Sequence, residues 1–166
     1  MSNILTKAFI AELKAESVAT RKCLERIPES TYGFKPHEKS MSMGYLVLLV
    51  ADIPRWIALS IEDSIIDFAT FKQFELSTSA ALLKYYEDNL SHAQKALAKS
   101  NDETLKNEMF YLKNNGKELF SAPKLENIGS SINHWVHHRG QLTVYMRLND
   151  IAVPSIYGPS ADEKTF

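Results

Sequence analysis

The sequence predicts an all-α protein built as a four-helix bundle, with an irregular segment before the last helix and a non-helical C-terminal tail. Three observations carry that reading. Four stretches repeat apolar residues at steps of three and four, the period of one helix face. Capping and helix-breaking residues fall between those stretches. The 166 residues, 45% hydrophobic and 23% charged, are enough for one domain (1–166) with a core of its own.

In chain order, the first helix runs from about Asn3 to Ile27, with Leu5, Phe9, Leu13, Thr20, Leu24 and Ile27 along one face. Its stripe turns polar at Ser17 and Thr20, beside Glu16, so this stretch either faces solvent or lines an internal polar site. Pro28 ends it, because proline cannot continue the backbone ladder. Glu29 to Ser42, with Gly33 and Pro36, reads as a loop, and Ser42 is placed to cap the second helix. That helix spans Met43 to about Ile61 on the face Leu46, Leu49, Val50, Ile53 and Ile57, and Pro54 inside it predicts a kink. After a loop around Asp67 to Leu76, Ser77 or Thr78 caps a third helix that reaches Lys99 on Leu82, Tyr86, Leu90, Ala93 and Leu97. Thr104 to Ala122 is less helical. There Met109-Phe110-Tyr111-Leu112, a turn at Asn114-Asn115-Gly116, and Leu119-Phe120 predict a short extended excursion. The last helix runs from about Lys124 to Asn149 on Ile128, Ile132, Trp135, Leu142 and Met146. The tail, Ile151 to Phe166, contains Pro154, Gly158 and Pro159 and is expected to pack back over the bundle.

Bulk properties narrow the function classes. A net charge of -1 speaks against nucleic acid as a partner, because phosphate binding draws on a basic surplus. Cys23 is the only cysteine, so no intrachain disulfide forms and a reducing compartment fits. Met1 to Lys7 has no basic stretch followed by an apolar core, and the longest apolar run, Tyr45 to Ala51, is too short to cross a bilayer. The expectation is a cytoplasmic protein without a membrane partner.

Chemistry concentrates in Asn133-His134-Trp135-Val136-His137-His138-Arg139-Gly140-Gln141-Leu142. His134 and His138 are four apart, so on a helix their Cβ atoms stack roughly 5–6 Å apart. Two imidazoles at that reach are able to share one metal ion, although two helix histidines on a common face give the same spacing. Unrolled at about 100° per residue, the last helix places His138 at the edge of the apolar arc. His134 falls just beyond, with Ser131 and Tyr145 nearby, and His137 turns away. Arg139 falls in the middle of the arc. Either its stem snorkels to solvent, or its guanidinium clamps a tail carboxylate (Asp162 or Glu163) or an anionic ligand. Asn133 and Gln141 are placed to orient imidazole nitrogens.

With these residues in view, the chain resembles the DinB family, the DinB/YfiT-like group of metalloenzymes, over nearly its whole length. Glu16 to Pro28 looks like the family's first helix, and Lys35 to Gly44 like the loop into its second. Asn133 to Arg147, followed by Pro154 and Tyr157-Gly158-Pro159-Ser160-Ala161-Asp162-Glu163, matches the last helix and tail. The resemblance implies a four-helix bundle with a metal held by three histidines, one on the second helix and an i, i+4 pair on the last. The pair carries over to His134 and His138. The second-helix histidine does not, because this chain has Leu49 there. Asp52, Glu16 and His37 are the residues available to replace it. The implied cofactor is a divalent ion (nickel, zinc or iron), held weakly or not at all without that third ligand. The implied partner is a small-molecule or thiol substrate. The family also forms dimers, and Trp56, Phe68, Phe71 and Phe74 offer a cluster of apolar groups for a homodimer face.

Two function classes follow. One is a non-catalytic or weakly metal-binding stress-response or binding module that keeps the bundle and its pocket, the reading Leu49 favours. The other is a metal-dependent hydrolase or thiol-dependent transferase or isomerase using an ion at His134 and His138, the reading the intact HxxxH favours.

Overall fold

The computed structural model of the chain describes residues 3–164; Met1, Ser2 and the last two residues of the predicted tail, Thr165 and Phe166, lie outside the described residues. Four long helices form the bundle: α1 (Ile4–Arg26), α2 (Met43–Glu62), α3 (Ser79–Lys99) and α5 (Lys124–Leu148). A one-and-a-half-turn helix α4 (Asp102–Asn107) follows α3. Strands β1 (Ile65–Asp67), β2 (Met109–Asn114) and β3 (Lys117–Pro123) form a small sheet in the order β1-β2-β3.

Each helix buries the face its spacing predicts. Leu46, Val50, Ile53 and Ile57 of α2 pack in one core with Leu82, Tyr86, Ala93 and Leu97 of α3 and Ile128, Trp135, Leu142 and Met146 of α5. Ser42 caps α2 by accepting from the Tyr45 amide, and Thr78, not Ser77, caps α3 through the Ala81 amide. The start of α1 is held from a distance. The Asp102 carboxylate accepts the amides of Ile4, Leu5 and Thr6, satisfying N-terminal donors that no side chain of α1 reaches. Pro54 sits within α2 without interrupting it, and beside it Asn89 of α3 donates to the Ala51 carbonyl at 3.0 Å. α2 has the length and hydropathy of a membrane span, longer than the apolar run counted from sequence, yet 67% of its apolar window is buried inside the bundle.

The extended excursion before the last helix is a true hairpin. β2 and β3 pair antiparallel, and Asn115 and Gly116 turn between them with φ of 50° and 76°. Two consecutive left-handed residues are what a tight hairpin turn demands, and Asn-Gly supplies them at least cost. The Asp67 carboxylate accepts both turn amides, at 2.9 and 2.8 Å, which docks the end of β1 against the tip of the hairpin. β1, parallel to β2, lies between the end predicted for the second helix and the loop around Asp67 to Leu76, where the sequence pattern predicts no strand.

Candidate functional site

α5 presents two polar clusters, one toward α2 and one toward α1. On one side, His134 and His138 bring their Nε2 atoms to 2.6 Å. The Gln141 Oε1 lies 2.8 Å from His138 Nδ1. With the carboxamide oxygen accepting from Nδ1–H, the matching tautomer makes His138 Nε2 the acceptor and His134 Nε2 the donor of the shared bond. Burial holds both imidazoles below their ordinary pKa. For His134 the facing rings of His138 and His137 add to the effect; for His138 the Gln141 contact opposes it. His137 is exposed, with its ring set against the side of His138. Trp56 of α2 lies against His134, ring centroids 5.7 Å apart.

How α2 lies on α5 follows from two contacts. The Tyr145 hydroxyl donates to the Met41 carbonyl just before α2 at 3.1 Å, and Trp56 meets His134 near the other end. The helices are therefore antiparallel, and the register between those contacts sets Leu49 level with the His138–Gln141 turn. Leu49, Asp52 and Trp56 share one face of α2 and line one small cavity. The position that resemblance assigns to a third histidine is thus occupied by a hydrocarbon side chain.

None of the proposed substitutes completes the pair. Asp52 accepts from the Trp56 indole at 2.8 Å and from the Tyr85 hydroxyl, with Arg55 at 3.6 Å, so its oxygens are already engaged. Glu16 is on the far side of α5. His37 is exposed in the loop before α2, its Nδ1 accepting the Lys39 amide. Among the described residues no three His, Cys, Asp or Glu side chains converge closely enough to hold an ion. The donor set present does not fit a three-histidine centre. Of the orienting residues, Gln141 reaches the pair, Tyr145 is spent on Met41, and Asn133 is exposed on the outer surface.

The other cluster is buried and, apart from the unpartnered Arg139 Nε, bonded within the chain. Arg139, 1% exposed, pairs with Glu16, 7% exposed, at 2.6 Å. Its Nη1 also donates to the Glu16 carbonyl and to Thr20, and Nη2 to the Tyr157 hydroxyl; that hydroxyl in turn donates to Glu16. This corrects the expected tail clamp. Asp162 pairs with Arg147, Glu163 with Arg26 and Lys22, and among the described residues the tail reaches Arg139 through Tyr157. The polar interruption on the first helix is an internal site, and its purpose is to receive Arg139.

Sequence reasoning missed the space beside the histidines. A cavity of about 420 Å³ opens next to His134, walled by Trp56, by the sheet residues Ile66, Phe110, Leu112 and Phe120, by Phe68, and by Asn127, Ser130 and Ser131 of α5. The aromatics expected at a dimer face all have neighbours within the chain, and Phe68 also stays half exposed. Trp56 and Phe68 line this cavity, Phe71 lies under the Arg55 guanidinium at 4.3 Å, and Phe74 stacks on Tyr85 with centroids 4.2 Å apart. The apolar run Met109-Phe110-Tyr111-Leu112 and the pair Leu119-Phe120 were the available clue to this wall.

Comparison with known proteins places the chain. The model of the DinB family matches residues 1–165. The Bacillus subtilis protein described as uncharacterized protein YrdA is 25% identical over 160 residues, covering 93% of this chain and 89% of that protein. The fold matches the crystal structure of a DinB-like protein from Bacillus subtilis with a TM-score of 0.70 at 20% identity, over 95% of this chain and 99% of the other. A DinB-like protein from Bacillus cereus gives a TM-score of 0.70 at 22% identity, over 91% and 97%.

Proposed function

The chain belongs to the DinB family, and from that premise we propose that it is a small-molecule-binding member whose metal centre is reduced to a pair of histidines. One observation carries the reading: His134 and His138 meet each other at 2.6 Å, and among the described residues no further His, Cys, Asp or Glu joins them in a group able to hold an ion. A catalytic zinc site typically uses three protein ligands and keeps one position open, whereas two imidazoles leave most of the ion's shell to water. The neutral pair satisfies itself through one shared proton instead, and the cavity beside it supplies binding rather than Lewis-acid chemistry.

Titration calorimetry with zinc and nickel at pH above the histidine range tests this. Wild type is expected to bind weakly or not at all. Leu49→His supplies the missing imidazole on a scaffold already shaped around the pair, so it should bind at least about tenfold tighter, a gain of ~1.4 kcal/mol. Adding His138→Ala should erase the gain; adding His137→Ala should leave it.

A second reading has one observation in its favour. Gln141, by accepting from His138 Nδ1, leaves His138 Nε2 unprotonated, the arrangement by which ligating histidines are oriented. Under it the protein is a metal-dependent hydrolase or thiol-dependent transferase with the ion at His134 and His138. Tight, stoichiometric metal binding by the wild type would select that reading over the first.

A further inference from the structure

We propose that the cavity between the sheet and α5 binds an uncharged aromatic small molecule, its ring held by the sheet and one hydrogen-bonding edge turned toward α5. This rests on the reading of the chain as a binding module and names the class of its ligand. The volume, about 420 Å³, falls within the range of roughly 300–1,000 Å³ typical of small-molecule sites.

The two walls differ in kind. Phe110, Leu112 and Phe120 from the hairpin and Trp56 from α2 make one wall apolar; the indole N–H of Trp56 is already committed to Asp52. The other wall is a single stripe of α5: Asn127, Ser130, Ser131 and His134 stand at i, i+3, i+4 and i+7, hence on one helical face. Among the described residues, Asn127, Ser130 and Ser131 spend no side-chain hydrogen bond on the rest of the chain, so amide and hydroxyls remain free for a guest. No Asp, Glu, Lys or Arg lines the space. An ionic ligand entering would lose its hydration with no counter-charge to replace it, which selects a neutral guest. An aromatic one gains offset or edge contacts with the rings. Phe110 is 3% exposed and forms the floor, whereas Phe68 and Phe120 are 50% and 47% exposed and form the rim. Rings left half in water at the mouth of a cavity are surface that a guest removes from solvent.

A matched pair of fluorescent probes tests the class directly: phenylnaphthylamine, which is uncharged, and anilinonaphthalene sulfonate, the same ring system carrying a sulfonate. Each is titrated into the full chain in the presence of a chelator, so that metal plays no part. The expected result is saturable binding of one neutral probe per chain, at least about tenfold tighter than the sulfonate. Ser130→Trp, at an exposed helix position on the cavity's lining, fills the space and should weaken the neutral probe by about tenfold or more. Glu12→Trp adds the same ring at an exposed position of α1, a helix that contributes nothing to the lining, and should leave binding unchanged. Should Ser130→Trp fail to show the wild-type circular dichroism, Phe120→Ala, on the half-exposed edge of β3, removes a wall and should also weaken the probe. Equal or better binding of the sulfonate, no saturable binding, or full binding by the folded Ser130→Trp and Phe120→Ala proteins would overturn the proposal. Tight zinc binding by the wild type overturns the reduced-centre reading separately, because the probe titrations exclude metal.

Discussion

The two polar clusters of α5 start from neighbouring residues, His138 and Arg139, and differ in character. Toward α1 and the tail, Arg139, Glu16, Thr20 and Tyr157 form a buried network in which the guanidinium and the carboxylate each have several partners. Toward α2 and the sheet, His134 and His138 rely on each other and on Gln141, and His134 borders open space. Buried polar groups whose partners all come from the same chain are cement. Polar groups that border a cavity, with bonding capacity left over, are a site. The difference is invisible in a motif, since Arg139 and His138 are adjacent in sequence.

The sharpest way to break the comparison is to cut the closed side. Arg139→Ala leaves the Glu16 carboxylate buried without its cation, so unfolding by denaturant should show a loss of about 3–5 kcal/mol, as for other broken buried pairs. The double change Arg139→Met with Glu16→Leu removes both charges and should recover much of that loss. His138→Ala, on the open side, should cost only about 1 kcal/mol, the ordinary worth of a hydrogen bond. If the histidine change destabilises as much as the arginine change, the division into cement and site fails.

The open side can be sharpened by asking whether Gln141 orients a ligand. In the Leu49→His background, Gln141→Ala should weaken metal binding by about 10–100-fold, the usual effect of removing the group that fixes a ligating histidine. Unchanged affinity would mean that the contact between Gln141 and His138 is incidental.

A smaller effect separates the tail from the network it touches. Tyr157→Phe removes the hydroxyl that bridges Arg139 and Glu16 but leaves their ion pair, so it should cost about 1 kcal/mol. The tail stays attached through Glu163, whose carboxyl is pulled down to about 2 by the Arg26 guanidinium and the Ser155 amide. Amide exchange in 151–164 should therefore quicken modestly at neutral pH. Wholesale release of the tail would show that Tyr157 is its main anchor.

Much of this architecture was legible because it is local. Helical period, Ser42 and Thr78 as caps, and Asn115-Gly116 as a hairpin turn each need only a few consecutive residues. What escaped notice depends on distant partners. β1 has only three residues, and it is a strand because β2 lies beside it. Asp102 caps a helix nearly a hundred residues earlier in the chain. Arg139 in an apolar arc and Glu16 in a polar gap were both visible as anomalies. Joining them required knowing that α1 lies against α5, and the tail carboxylates, closer in sequence, were the nearer candidates. The histidine pair was legible as a motif, but the cavity beside it was not, since its wall comes from the hairpin.

The smallest expected effect is a pH dependence confined to the open side. Burial, first, lowers the pKa of His134 and His138 below the ordinary value of 6.5. In the unfolded chain both take up protons near that value. Above it the imidazoles are neutral in both states, and their contribution to stability is complete. As pH falls through 6.5, the unfolded chain binds protons that the folded chain refuses, so unfolding becomes easier until the folded pKa values are passed. Stability should thus decline between roughly pH 7 and 5, before the carboxylates held low by their partners, Asp67, Asp162 and Glu163, begin to titrate. Both rings are partly open to solvent, which keeps the slope shallow. The variant His134→Gln removes one of the two groups and one of the charges facing the other, so its midpoint in denaturant should vary less across that window than the wild type's. Arg139→Met with Glu16→Leu alters only the closed side and should keep the wild-type slope. A wild-type midpoint that is flat from pH 7 to 5, or a slope that survives in His134→Gln and vanishes in the closed-side variant, would assign the titration to the wrong face of α5 and undo the contrast.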